Sequence, residues 1–208
     1  MRVVTGEAKG RRLKGPKTIG TRPIIERVKQ ALFNILSVRV EDARFLDLFA
    51  GTGSVGIEAL SRGAAHATFI EMNHKVLALV RENLQITGLV DRAETLHMDA
   101  FKFLQAQNRP SVSSTGSSTK REYDMIYVAP PQYQEMAARA LSMLDGSPLV
   151  VSQGLVIVQI HPKERSGVAA VPLHHLTLTD ERRYGSTLLM FFARKEEQLS
   201  DDNTVTEA

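Results

Sequence analysis

The sequence predicts an α/β fold with a doubly wound, mainly parallel sheet. Three observations lead there. From residue 44 to residue 160, short apolar runs alternate with segments of helical periodicity, and repeated βα units bury a parallel sheet between helices. A glycine-rich stretch, Gly51-Thr52-Gly53, leaves the first of these runs and opens a helix, the place where doubly wound sheets bind ligands. Two late strand candidates have no long helix between them, so they pair antiparallel at the sheet edge.

The elements follow in order. Residues 1–20 are rich in Gly and Lys/Arg and read as a short strand or hairpin with loops. Pro23 stands where a first helical turn tolerates proline. Val28, Ala31, Leu32, Ile35 and Leu36 recur at helical spacing, giving an amphipathic helix over 24–37. Strands are then expected at 44–49, 68–71, 93–97, 124–128 and 155–160, with helices at 54–61, 74–87, 100–105 and 133–144. The late strands are 173–178 and 187–193. A Ser/Thr/Gly run within about 107–121 reads as a flexible insertion, because it cannot bury enough apolar surface to order itself. An acidic tail, 196–208, is expected to be disordered. The domain reading is a basic extension and helix over 1–40, followed by a body over 41–195.

Composition narrows the function classes. The 208 residues are 43% hydrophobic and 24% charged, ordinary for one globular domain. With no cysteine, disulfides and thiolate metal sites are excluded. No two histidines share a helical i, i+4 spacing with a carboxylate, so no metal is expected. The N-terminus lacks the apolar core of a signal peptide, and no run approaches the roughly 20 apolar residues of a membrane span. A cytoplasmic, metal-free monomer is the expectation. Residues 1–39 carry ten Lys/Arg against Glu7 and Glu26, a local charge of +8 within a total of +3. Such a segment suits a polyanionic partner, with Arg11, Arg12, Lys14, Arg22 and Arg27 as the phosphate-binding candidates.

Glycines at 51 and 53 permit a tight turn and let backbone N–H groups approach a ligand. Glu71 ends the next strand, where a carboxylate can accept ribose hydroxyl protons. Asp99 ends the third strand, placed to meet a nucleobase edge, and Asp47 precedes the loop. Three strand ends thus offer glycine backbone, acid and acid around one adenosine. Gly51-Thr52-Gly53-Ser54-Val55-Gly56 also fits the dinucleotide fingerprint. A nicotinamide-dependent oxidoreductase therefore stays open, although no Tyr-x-x-x-Lys pair accompanies it.

At the end of the fourth strand, Ala129-Pro130-Pro131 forms a stiff loop, since proline fixes φ and extends the residue before it. The Pro130 carbonyl, outside any helix, can accept a hydrogen bond from an amino group. Gln132 and Tyr133 follow.

Several stretches carry a family resemblance: Gly10-Arg11-Arg12-Leu13, Thr21-Arg22-Pro23, Arg27-Val28-Lys29-Gln30-Ala31-Leu32-Phe33-Asn34, Asp47-Leu48-Phe49-Ala50-Gly51-Thr52-Gly53, Glu58-Ala59-Leu60-Ser61-Arg62-Gly63-Ala64, Phe69-Ile70-Glu71, Ala-Pro-Pro and Arg183-Tyr184-Gly185. Over about residues 2–194 the chain resembles the RsmD-type small-subunit ribosomal RNA guanine-N2 methyltransferases. The resemblance implies the class I methyltransferase (Rossmann-like) fold, S-adenosylmethionine as cofactor, and ribosomal RNA or an assembling small ribosomal subunit as partner. It carries cofactor positions to Asp47, Phe49, Gly51, Gly53, Glu71 and Asp99, with Met72 and Ala100 beside them. The family's Asp/Asn-Pro-Pro-aromatic signature falls on Ala129, Pro130, Pro131 and Gln132, with Tyr133 one residue later. Ala129 departs from it by lacking the acid or amide. An RNA-binding protein of the same fold without catalysis is the alternative reading.

Overall fold

The computed structural model describes residues 1–15, 26–108, 121–132 and 135–195. The expected insertion and tail fall almost wholly outside these residues. So do Arg22, Pro23 and Tyr133.

Helix α1 (Glu26–Leu36) leads through a 3-10 turn to strand β1 (Arg44–Asp47). Helix α2 (Ser54–Ser61), strand β2 (His66–Glu71), helix α3 (His74–Thr87), strand β3 (Ala93–His97) and helix α4 (Ala100–Gln107) follow. The chain continues with β4 (Tyr123–Val128), α5 (Met136–Leu144), β5 (Val150–Ile160), the short α6 (Arg165–Ala169), β6 (Leu176–Tyr184) and β7 (Thr187–Arg194). The seven strands lie in the order β3-β2-β1-β4-β5-β7-β6. Strands β1 to β5 are parallel, and β7 runs antiparallel between β5 and β6. The chain reverses its direction of winding between β1 and β4, which makes that boundary the switch point.

Strand alternation builds two cores. Phe45, Met125, Tyr127, Leu155 and Ile157 face a core shared with α1, α2 and α3. Leu46, Ile126, Val128, Val156 and Val158 face one shared with α4, α5 and α6. The central strands are buried on both faces, which is why they read as unbroken apolar runs.

The structure corrects several expected boundaries. Strand β5 begins at Val150 rather than 155, because a register irregularity against β4 carries pairing past exposed Ser152 and Gln153. Strand β6 spans Leu176–Tyr184, displaced from 173–178. Its outer residues are polar and solvated, so an apolar pattern marks only its start. Arg182 and Arg183 belong to this strand. The helix expected at 133–144 has described residues only from Met136, with Glu135 at φ 54 before it. In α1 the buried stripe is Val28, Lys29, Leu32, Phe33 and Leu36, while Ile35 is exposed. The stripe is rotated because Lys29 is drawn inward to Glu58 on α2, 2.9 Å away.

That pair anchors the N-terminal segment. Glu58, fully buried, accepts from the Val4 and Thr5 amides at 2.8 and 2.9 Å and pairs with Arg62 at 3.0 Å. Ser61 donates to the Thr5 carbonyl at 2.6 Å and accepts from the Ala8 amide at 3.0 Å. A Cβ on Gly6 would lie 1.6 Å from the Ser61 carbonyl oxygen, so only glycine lets the segment lie this close to α2. The expected hairpin is present as an antiparallel bridge between Arg2 and Arg12.

Candidate active site

A cleft of about 480 Å³ opens at the carboxyl ends of the central strands, at the switch point. Two carboxylates shape the glycine loop on its floor. Glu71 Oε2 accepts from the Gly51 amide at 3.0 Å, and its Oε1 accepts from Asn73 at 2.8 Å. Asp47 Oδ2 accepts from the Gly56 amide at 3.2 Å. The loop is thus held at both ends. Gly51 and Gly53 have φ of 53° and 76°, a region L side chains avoid. A Cβ on Gly51 would meet nothing within 4 Å, since the residue faces open cleft. A Cβ on Gly56 would come within 2.4 Å of the Phe69 ring, so this glycine sets how closely α2 approaches β2.

Asp47 is 1% exposed, and its Oδ1 has no hydrogen-bond partner among the described residues. Burial raises its pKa from 3.8 to about 7; the Gly56 hydrogen bond opposes the rise, and the nearby Glu71 charge adds to it. A buried carboxylate with a free oxygen is a receptor for a hydrogen-bonding cation.

Of the expected cofactor residues, Phe49, Gly51, Glu71, Met72, Asp99 and Ala100 line the cleft together. Asp47 and Gly53 are not among its lining residues; Asp47 reaches the loop through the Gly56 amide. Asp99 lies just past β3, which ends at His97, and caps α4 by accepting from the Lys102 amide at 3.0 Å. Ala129, Pro130, Pro131 and Gln132 line the opposite side of the same cleft. Among the described residues nothing donates to the Pro130 carbonyl.

Sequence reasoning missed Gln159 on β5 and Met98, which also line the cleft. The signal for Gln159 was a polar residue ending the apolar run Leu155-Val156-Ile157-Val158. Sequence reasoning also missed Asn83. Its side chain accepts from the Lys14 amide at 2.8 Å and donates to the Thr52 carbonyl at 3.0 Å, joining the N-terminal segment to the glycine loop.

The basic candidates divide by environment. Arg11, Arg12 and Arg27 are exposed, and none has an ion pair among the described residues. Lys14 is exposed and paired with Glu82. Lys29 contributes to the local charge of +8 but is buried against Glu58, so it offers nothing to a polyanion. Among the described residues no helix is long and apolar enough to cross a membrane, and no cluster of three His, Asp or Glu could hold a metal.

Comparison with known proteins gives a consistent picture. The family model described as Conserved hypothetical protein 95 matches residues 1–193. The chain is 30% identical over 201 residues to the Ribosomal RNA small subunit methyltransferase D of Escherichia coli (strain K12), covering 97% of this chain and 93% of that relative. A solved structure of the Escherichia coli protein yhhF superposes with a TM-score of 0.78 at 30% identity, covering 95% of this chain and 99% of that one. An RNA methyltransferase from Salinibacter ruber, solved with S-adenosyl-L-homocysteine, shares the fold at 14% identity, with a TM-score of 0.61 and coverage of 86% and 98%.

Proposed function

We infer that the chain, which belongs to the Conserved hypothetical protein 95 family, is an RNA methyltransferase that methylates the N2 amino group of a guanine in small-subunit ribosomal RNA, with S-adenosylmethionine as donor. The observation that carries this reading is the cleft itself. A glycine loop held between two acids faces an Ala-Pro-Pro loop across one cavity. The small-subunit ribosomal RNA relative supports the substrate. The S-adenosyl-L-homocysteine complex on the same fold supports the cofactor.

The residues present fit such a cofactor. The unpartnered Oδ1 of Asp47 suits an ammonium, and the open face of Gly51 leaves room for a close ligand. Glu71 retains lone pairs for ribose hydroxyls beyond its two backbone bonds, and the free oxygen of Asp99 suits a base amino group. Phe49, Met72 and Ala100 supply the apolar walls. Bound there, S-adenosylmethionine would supply a sulfonium-activated methyl carbon, which the guanine amino nitrogen would take as the carbon–sulfur pair returns to sulfur and a proton leaves to water. Pro130, Pro131 and Gln132 form the wall against which the acceptor is held, with the Pro130 carbonyl accepting a hydrogen bond from the amino group. Alignment of nucleophile, methyl and sulfur provides most of the acceleration. Residues 1–40 form an RNA-binding extension through Arg11, Arg12, Lys14, Arg22 and Arg27. The enzyme acts as a metal-free monomer in the cytoplasm, on ribosomal RNA or an assembling small subunit.

Mass mapping of small-subunit ribosomal RNA from a deletion strain tests this. One guanine should lack its N2 methyl and regain it on complementation. An unchanged pattern overturns the enzymatic reading in favour of RNA binding without chemistry.

A further inference from the structure

Ala129 leaves the acceptor side of the cleft without a side-chain acceptor at the position where the family signature has one. Strands β4 and β5 run parallel in the register Tyr127↔Ile157 and Val128↔Val158. The next residues along them, Ala129 and Gln159, are therefore lateral neighbours, with backbones about 5 Å apart. Alternation puts their side chains on the same face of the sheet, and both line the cleft. Gln159 is oriented. The Tyr127 hydroxyl donates to its Oε1 at 2.6 Å. Tyr127 is itself buried, two residues before Ala129 on the same strand. Burial pushes its hydroxyl pKa well above 10, which keeps it a proton donor.

An amide held in this way presents an N–H₂ donor and a second lone pair on Oε1. No described residue engages the N–H₂ group. An acceptor beside a donor matches the guanine edge on which the N2 amino group stands next to the N3 acceptor. We propose that Gln159, oriented by Tyr127, makes the contact to the acceptor amino group that Ala129 cannot, one strand across from its usual place. The proposal rests on the methyl-transfer reading above. Gln159 takes no proton in the step. It holds the nitrogen while the lone pair forms the N–C bond, the C–S pair moves to sulfur, and the released proton passes to water.

The test uses the full chain with unmethylated small-subunit RNA and particles from the deletion strain. Wild type is compared with Gln159→Ala, with the volume-preserving Gln159→Met, and with Gln159→Ala combined with Ala129→Asn. Losing one positioned polar contact should slow single-turnover methylation ~100-fold in both single variants. S-adenosyl-L-homocysteine affinity by calorimetry should stay unchanged, and the melting temperature should fall only as far as the lost Tyr127 hydrogen bond requires, leaving both variants folded at the assay temperature. Ala129→Asn should restore at least ~10-fold of the rate to the Gln159→Ala background, because the amide then stands at its neighbour's position. Wild-type rate in a folded single variant overturns the proposal. So does a loss of cofactor affinity that accounts for the loss of rate, since Gln159 would then belong to the cofactor. Absence of rescue by Ala129→Asn overturns it as well. A wild-type chain that transfers no methyl to either substrate removes the methylation reading itself, before any variant is compared.

Discussion

Asp47→Asn tests the energetics of the glycine loop. The carboxylate is 1% exposed, and its pKa stands at about 7 against 3.8 when unburied. The folded state therefore prefers the protonated form. Stability from this group is full below about pH 4, declines as pH rises, and levels off above about pH 7. At 1.36 kcal/mol per pH unit, the interval from 3.8 to about 7 corresponds to ~4 kcal/mol of lost stability. About two of those units lie between pH 5 and pH 8, or ~3 kcal/mol. Asparagine has nearly the same shape and keeps an oxygen for the Gly56 amide, but it does not ionise. Urea unfolding at pH 5, 6, 7 and 8 should show the variant gaining ~3 kcal/mol on the wild type across the series. Parallel stability curves for the two proteins would refute the argument, because Asp47 would then titrate as an ordinary carboxylate.

Further predictions concern other parts of the fold. Glu71→Ala should weaken S-adenosylmethionine binding by roughly 1.5–3 kcal/mol through lost charge-assisted hydrogen bonds; an unchanged affinity by calorimetry in a folded variant would remove Glu71 from the cofactor site. Neutralising Arg11, Arg12 and Lys14 together should reduce the slope of log RNA affinity against log salt by about 0.7–0.9 per lost phosphate contact. The Lys14 share should be smaller because Glu82 already holds it, and an unaltered slope would make the segment an ordinary solvated surface. Lys29→Met removes one member of a buried pair and leaves Glu58 with Arg62 and two backbone amides. A loss of ~3 kcal/mol in chemical unfolding is expected, and a neutral result would mean that those remaining partners suffice.

The core strands were legible because they are buried on both faces and therefore read as apolar runs bounded by helices. Helices α2 and α3 match their expected spans for a related reason. Glycine and asparagine caps mark where the chain turns. The glycine loop with Asp47, Glu71 and Asp99 was legible because strand-end spacing is a local property. The likeness to relatives named as ribosomal RNA methyltransferases speaks against the nicotinamide alternative, which the Gly-x-Gly-x-x-Gly spacing alone had left open.

What the sequence determined by itself is the order of elements, the position of the glycine loop and the alanine that precedes Pro130 and Pro131. Tertiary structure decided the rest. Lys29 counted as part of a basic patch until the fold brought Glu58 to it from 29 residues away. Polar β6 became a strand because β7 offered it a ladder, with only its start marked by apolar residues. Gln159 came to line the cleft when parallel register set it beside Ala129, from a strand 30 residues further along the chain. The physical reason is common to all three. Local pattern reports which face a residue prefers, whereas its charge partner, its ladder and its neighbour across the sheet are set by contacts between distant segments that exist only in the folded state.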